Sequence, residues 1–211
     1  MTTRRVVAVL ARSARVLAPE RPLAPPGIDG DALVLAMLED VVDLVAGMRE
    51  VEPALVVADG FAAARETVWP GMPVVELAGA SLLGALEAIA ALGADEVTVV
   101  VGDAPDLPPL LLGKLHSALT TAEVGVCPAD GGGLVALACR LPLPEWLREV
   151  ADHLDPDTEK ILETLRRVAP RRALFVGPGW HRIRRPEDVV RLDPGLEGWD
   201  ATRALLSPRS H

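Results

Sequence analysis

Seven short runs rich in valine and leucine recur along this chain, separated by longer stretches dominated by alanine and leucine. That alternation constrains the fold more than any other feature, because β-branched runs suit pleated strands while the stretches between them carry helical spacing. Strands are expected at 6–11, 54–59, 73–77, 96–103, 123–129, 134–140 and 173–177, and helices at 31–48, 80–92, 109–120 and 157–168. Ser81 and Asp157 stand where helix caps belong, and Gly93 where a helix should stop. The pattern predicts an α/β fold in three layers, with a right-handed β-α-β wind through the first two thirds. It breaks at "CPADGGGLVALACR", where a glycine-rich turn joins two strands that should pair as an antiparallel hairpin, giving a mostly parallel but mixed sheet.

The 211 residues, half of them hydrophobic, suffice for one sizeable core, so residues 1–211 are read as a single domain. A formal charge of −9 argues against nucleic acid or an anionic membrane surface as partner and leaves small molecules and metal ions. Cys127 and Cys139 are too few for a disulfide framework and lack metal-ligand spacing. No apolar run is long enough to span a bilayer and no signal peptide is evident, so a cytoplasmic protein is expected. Oligomeric state is left open, a homo-oligomer included.

The chemistry gathers at "VTVVVGDAPDLPP". A strand buried on both faces reads as an unbroken apolar run, and this one ends in a glycine followed by Asp103 and Asp106. Carboxylates at the carboxyl rim of a parallel sheet serve either to cap the next helix or to hold a hard divalent cation against phosphates. Asp106 suits the first use, close to the helix that Pro108 and Pro109 open. Asp103 suits the second. The Pro-rich loop 17–27 after the first strand should lie at the same rim. His116 and His153 lack ligand-type neighbours and read as structural, and so do Trp180 and His181.

"VVVGDAPDLPPLLLGKLHSAL" followed by "GVCPADGGGLVALACRLPLPEWL" resembles the sugar-transferase-like family often encoded near radical SAM proteins. The resemblance implies a glycosyltransferase-A, or nucleotide-diphospho-sugar transferase-like, fold, distantly related to the guanylyltransferases of molybdenum-cofactor and deazaflavin-cofactor synthesis. It implies Mg2+ or Mn2+ at Asp103, which with Asp130 would be catalytic. It also implies an acceptor pocket shaped by Asp130 and Gly131, Gly132 and Gly133, whose glycines allow a ligand close to the backbone. The substrates would be a nucleotide or nucleotide sugar and a small-molecule acceptor, with Asp106 orienting the loop beside them.

Two parts of the family pattern are altered. Where a Lys-Thr-Arg-Leu-Ala-Pro segment would meet phosphates, this chain has "PERPLAPPG", with Glu20 in the lysine's place, Pro22 in the arginine's, and Arg21 as the available substitute. Near the C-terminus, "RIRRPEDVVRL" puts Arg182 and Arg184 where the family has acids. Two anions become two cations, which reverses the local field; these arginines are expected either to pair with Asp103 or to hold a substrate phosphate. Two readings follow: a metal-dependent nucleotidyl- or glycosyltransferase, and a non-catalytic relative that keeps the fold as a ligand-binding or assembly module. On either reading Asp103→Asn is expected to leave folding nearly intact.

Overall fold

The computed structural model describes residues 3–207. Seven strands form one sheet: β1 (Arg5–Ala11), β2 (Glu52–Ala58), β3 (Val74–Leu77), β4 (Glu96–Val101), β5 (Val124–Pro128), β6 (Leu134–Arg140) and β7 (Leu174–Val176). Their spatial order is β3-β2-β1-β4-β6-β5-β7. All neighbours are parallel except β6, which runs antiparallel to both β4 and β5. The Gly-rich turn does make the expected hairpin, and "VTVVV" does lie in the central strand, with all six residues of β4 buried.

Alternate residues of the strands feed two cores. Val7, Val9 and Leu55 face α2 (Gly30–Gly47), α4 (Pro109–Ala118) and α7 (Asp200–Leu206). Ala8, Leu10 and Val56 face α3 (Leu82–Ala90), α5 (Glu145–Arg148) and α6 (Ile161–Val168). Helices on both faces of a largely parallel sheet give the three expected layers. A further short helix, α1 (Ala14–Leu17), follows β1 directly. Among the described residues no helix is long and apolar enough to cross a membrane.

The short helices α1 and α5 were not expected, β4 stops at Val101 short of the expected 103, and the two larger differences are in α6 and α7. Helix α6 begins at Ile161 rather than 157, and Asp157 is not its cap; Lys160 holds that position. Helix α7 was not expected at all. Its first amides are caught by the neighbouring helix of the same layer, since the buried Asp40 of α2 accepts hydrogen bonds from Ala201 N and Thr202 N, both at 2.9 Å. Burial raises the Asp40 pKa above the ordinary carboxylate value.

Candidate functional site

The chain turns from β1 one way to β2 and β3, and the other way to β4, so the crevice between the carboxyl ends of β1 and β4 is the sheet's topological switch point. In the parallel register Leu10 pairs with Val101, which places Arg12 and Asp103 side by side two residues beyond. Gly102 is where α2 presses on the strand end: a Cβ there would stand 2.9 Å from Leu38 Cδ1 and 3.2 Å from the Leu10 carbonyl. The apolar run stops at a glycine because no side chain fits under the helix at that point.

Asp103 is 1% exposed. Its two oxygens accept a fork of hydrogen bonds from Arg182, Nε to Oδ1 at 2.9 Å and Nη2 to Oδ2 at 2.7 Å. Arg182 is delivered by the chain after β7, whose Ile183 N donates to the Asp103 carbonyl at 2.8 Å. Its remaining donors are also used: Nη1 meets the carbonyls of Leu134 at 3.3 Å and Pro156 at 3.0 Å, and Nη2 also meets Asp157 Oδ1 at 2.9 Å. The guanidinium thus makes four hydrogen bonds, and Nη2 adds an ion pair to Asp157.

Asp157 is the second anion of the cluster. Arg12 reaches it through Nη1 at 2.8 Å and Nη2 at 3.3 Å, and Arg184 through Nη1 at 2.6 Å and Nη2 at 3.0 Å. Arg12 and Arg184 also stand 3.8 and 3.7 Å from Asp103 Oδ2. Burial opposes the Asp157 charge, but Arg12, Arg182 and Arg184 outweigh it and hold the carboxyl below the ordinary range. These three cations explain why Asp157 leaves the helix cap: charge-assisted bonds to guanidinium groups exceed what a helix terminus offers.

The other residues singled out in the sequence lie apart from this cluster. Asp106, buried on the same loop, accepts from the Trp180 indole at 3.1 Å and from Asp193 N at 3.2 Å. His181 Nε2 is 3.0 Å from the same carboxylate, but off the line a hydrogen bond needs. Asp130 is exposed and paired with Arg191. Arg21 is exposed on the Pro-rich loop, with no ion pair to the described residues. The backbone of Gly131, Gly132 and Gly133 has positive φ at 82°, 108° and 88°. What approaches Gly132 and Gly133 is the chain's own 156–159 segment: a Cβ on Gly133 would collide with the Pro156 carbonyl, and one on Gly132 with Glu159. The turn thus seats the segment that carries Asp157. His116 is buried 3.0 Å from Thr98 Oγ1, a structural pair as expected, and burial and then Arg5 lower its pKa to about 4. Burial likewise pushes the Cys127 and Cys139 thiols up to about 12.

Arg12 was not singled out in the sequence, and Asp157 only as a helix cap, not as part of a charged site. Arg12 had a usable signal: like Asp103, it is the first charged residue after a buried run that ends at the carboxyl rim.

A hard divalent ion takes six or more oxygen ligands. Here both oxygens of Asp103 are bound by Arg182, three guanidinium groups surround the two carboxylates, and the cluster carries a net positive charge. Among the described residues no group of three or more His, Cys, Asp or Glu could hold a metal ion. The donor set does not fit Mg2+ or Mn2+. The crevice itself keeps a cavity of only about 10 Å³, lined by Arg12, Leu17, Leu38 and Asp103 among others, room for about one water. A more open hollow of about 660 Å³ lies at the other end of the sheet, beside Glu87, Pro142 and Arg148.

No protein-family model matches the chain, and no curated protein does. Solved structures share its fold. A candidate nucleotide-diphospho-sugar transferase from Desulfovibrio desulfuricans superposes with TM-score 0.70 at 16% identity, covering 96% of each chain. A Mycobacterium tuberculosis protein in complex with manganese gives 0.52 at 20% identity, over 98% of this chain and 99% of that one. The 4-diphosphocytidyl-2C-methyl-D-erythritol synthase of Anaerococcus prevotii gives 0.54 at 14% identity, over 91% and 97%. The fold is that of nucleotide-diphospho-sugar transferase-like proteins.

Proposed function

We propose that this protein is a nucleotidyltransferase-like chain in which metal-assisted transfer at Asp103 has been given up, the fold being kept as a ligand-binding or assembly module. One observation carries the reading: the carboxylate at the switch point, where the transferase reading needs a metal ligand, is bound on both oxygens by Arg182. In metal-assisted phosphoryl transfer a divalent ion bridges phosphate oxygens and neutralises developing charge. An Asp103 already neutralised by a guanidinium has little left to offer such an ion. Freeing it would leave a buried cation without its partner, at a cost of about 3–5 kcal/mol.

Titration calorimetry with Mg2+ and Mn2+, alone and with nucleoside triphosphates or nucleotide sugars, tests this. The expected result is no saturable metal binding at millimolar concentration. Tight metal binding with a nucleotide, abolished by Asp103→Asn, would overturn it.

A second reading keeps the transferase, acting on a nucleotide or nucleotide sugar and a small-molecule acceptor. It is favoured by the manganese complex among the similar structures and by the closeness of Asp103 and Asp157, which share one nitrogen of Arg182. It requires the arginines to swing away and Asp130 with Gly131, Gly132 and Gly133 to face an acceptor. Under it, Arg184→Asp creates or strengthens metal binding beside Asp103.

A further inference from the structure

The five charged residues of the cluster are not equally placed. The side chains of Arg12 and Asp103 are 1% exposed and that of Arg182 4%, whereas Arg184 is 27% and Asp157 28% exposed. Arg12 and Asp103 follow buried strands, and Arg182 is locked by backbone carbonyls as well as by Asp103. Asp157 belongs to a turn. The backbone of that turn is pinned, since the Pro156 carbonyl accepts from Leu134 N at 2.9 Å and from Arg182. The Asp157 side chain is held only by charge: five contacts, all to guanidinium nitrogens, at the solvent-facing mouth of the cluster.

Without Asp157 the remaining group is three guanidinium ions against one carboxylate. The forks of Arg12 and Arg184, with Nη2 of Arg182 beside them, converge on a point where two oxygens of one anion already sit. Arginine forks match phosphate oxygens as they match carboxylate oxygens, and a doubly charged phosphoryl group would balance the residual charge where a single carboxylate leaves an excess.

From this we propose that Arg12, Arg182 and Arg184 form a metal-independent site for a phosphoryl anion, a phosphate ester or a diphosphate, and that Asp157 is its internal competitor. The inference rests on the metal-free reading of the cluster given above. An incoming anion enters past Arg184 and displaces the Asp157 side chain while the turn's backbone stays seated on Gly133. Binding is therefore weak in the unmodified protein and is set by how firmly Asp157 holds its place.

The test is titration with inorganic diphosphate in EDTA, comparing the unmodified protein with Asp157→Asn, which preserves size and removes the competing charge. Affinity should rise at least tenfold in the variant, and the gain should disappear in Asp157→Asn/Arg184→Gln. Cytidine diphosphate run in parallel distinguishes a nucleotide from the free ion as the source of the phosphoryl group. If Asp157→Asn binds no more tightly than the unmodified protein, the inference fails and the metal-free reading stands. A gain that appears only with added Mg2+ or Mn2+ overturns both. Should the variant fold poorly, millimolar diphosphate must restore its melting temperature where chloride at equal ionic strength does not; absence of that rescue also counts against the site.

Discussion

Asp103 and Asp106 leave the same strand three residues apart and are buried alike, at 1% and 2% exposure, yet they are satisfied in opposite ways. Asp103 is met by full positive charges. Asp106 is met by an indole and a backbone amide, with His181 beside them; burial raises its pKa, and His181 and Trp180 outweigh that. The contrast teaches what the two acids are for. A carboxylate held by dipoles braces a loop, here tying 180–181 and 193 to the start of α4. A carboxylate held by guanidinium groups sits where a cation is wanted, and in this chain the cation is supplied by the protein.

The sharpest test of that contrast is to remove the charge of Asp103. Asp103→Asn leaves buried Arg182 and Arg12 short of an anion, so a loss of about 3–5 kcal/mol is expected in urea unfolding, reversing the near-neutral outcome expected from the sequence. Next in size is an acid transition centred on α4, where His116 meets Thr98 of β4. His116 has its pKa lowered to about 4 from an ordinary 6.5, so between those values the unfolded chain takes up a proton that the folded chain refuses. Stability should fall as pH drops through that window, by up to about 3 kcal/mol, and His116→Gln should flatten the decline. The Asp157 carboxyl is depressed instead, so its contribution is held above the ordinary carboxylate pKa and lost only at lower pH. Smallest is Asp106→Asn, whose single oxygen can serve the Trp180 indole, now bound to Oδ1, or the Asp193 amide, now bound to Oδ2, but not both; with one hydrogen bond lost and no charge left unpaired, about 1–2 kcal/mol is expected. Equal losses for Asp103→Asn and Asp106→Asn would erase the distinction between charge-held and dipole-held acids.

Much of this arrangement is legible in the sequence where the physics is local. The strands follow from unbroken valine-rich runs, and β6 matches its expected bounds because Gly131, Gly132 and Gly133 mark the turn before it. Arg182 and Arg184 drew attention through the acids they replace, and the pairing of Arg182 with Asp103 was one of the two expected outcomes. The rest depends on contacts between distant segments. Asp157 resembles a helix cap to any local rule, and only three arginines from elsewhere in the chain move it off that duty. Helix α7 is invisible for the same reason, since its capping carboxylate, Asp40, lies on another helix.

The separations within the cluster also order its assembly in time. Arg12 precedes Asp157 by 145 positions, and Asp103 precedes Arg182 by 79. The last strand ends at Val176, so every strand of the sheet has been synthesised before Arg182 exists. At about 5–20 residues per second, a nascent chain carries Arg12 and Asp103 at the carboxyl rim for several seconds before Asp157 and Arg182 are made. Contacts of such long range are slow to close even in the finished chain. The charged lock is thus the last part of the site to be synthesised, and a nascent chain stalled before residue 182 would hold all seven strands with Arg12 alone to set against Asp103 and Asp157 at the rim.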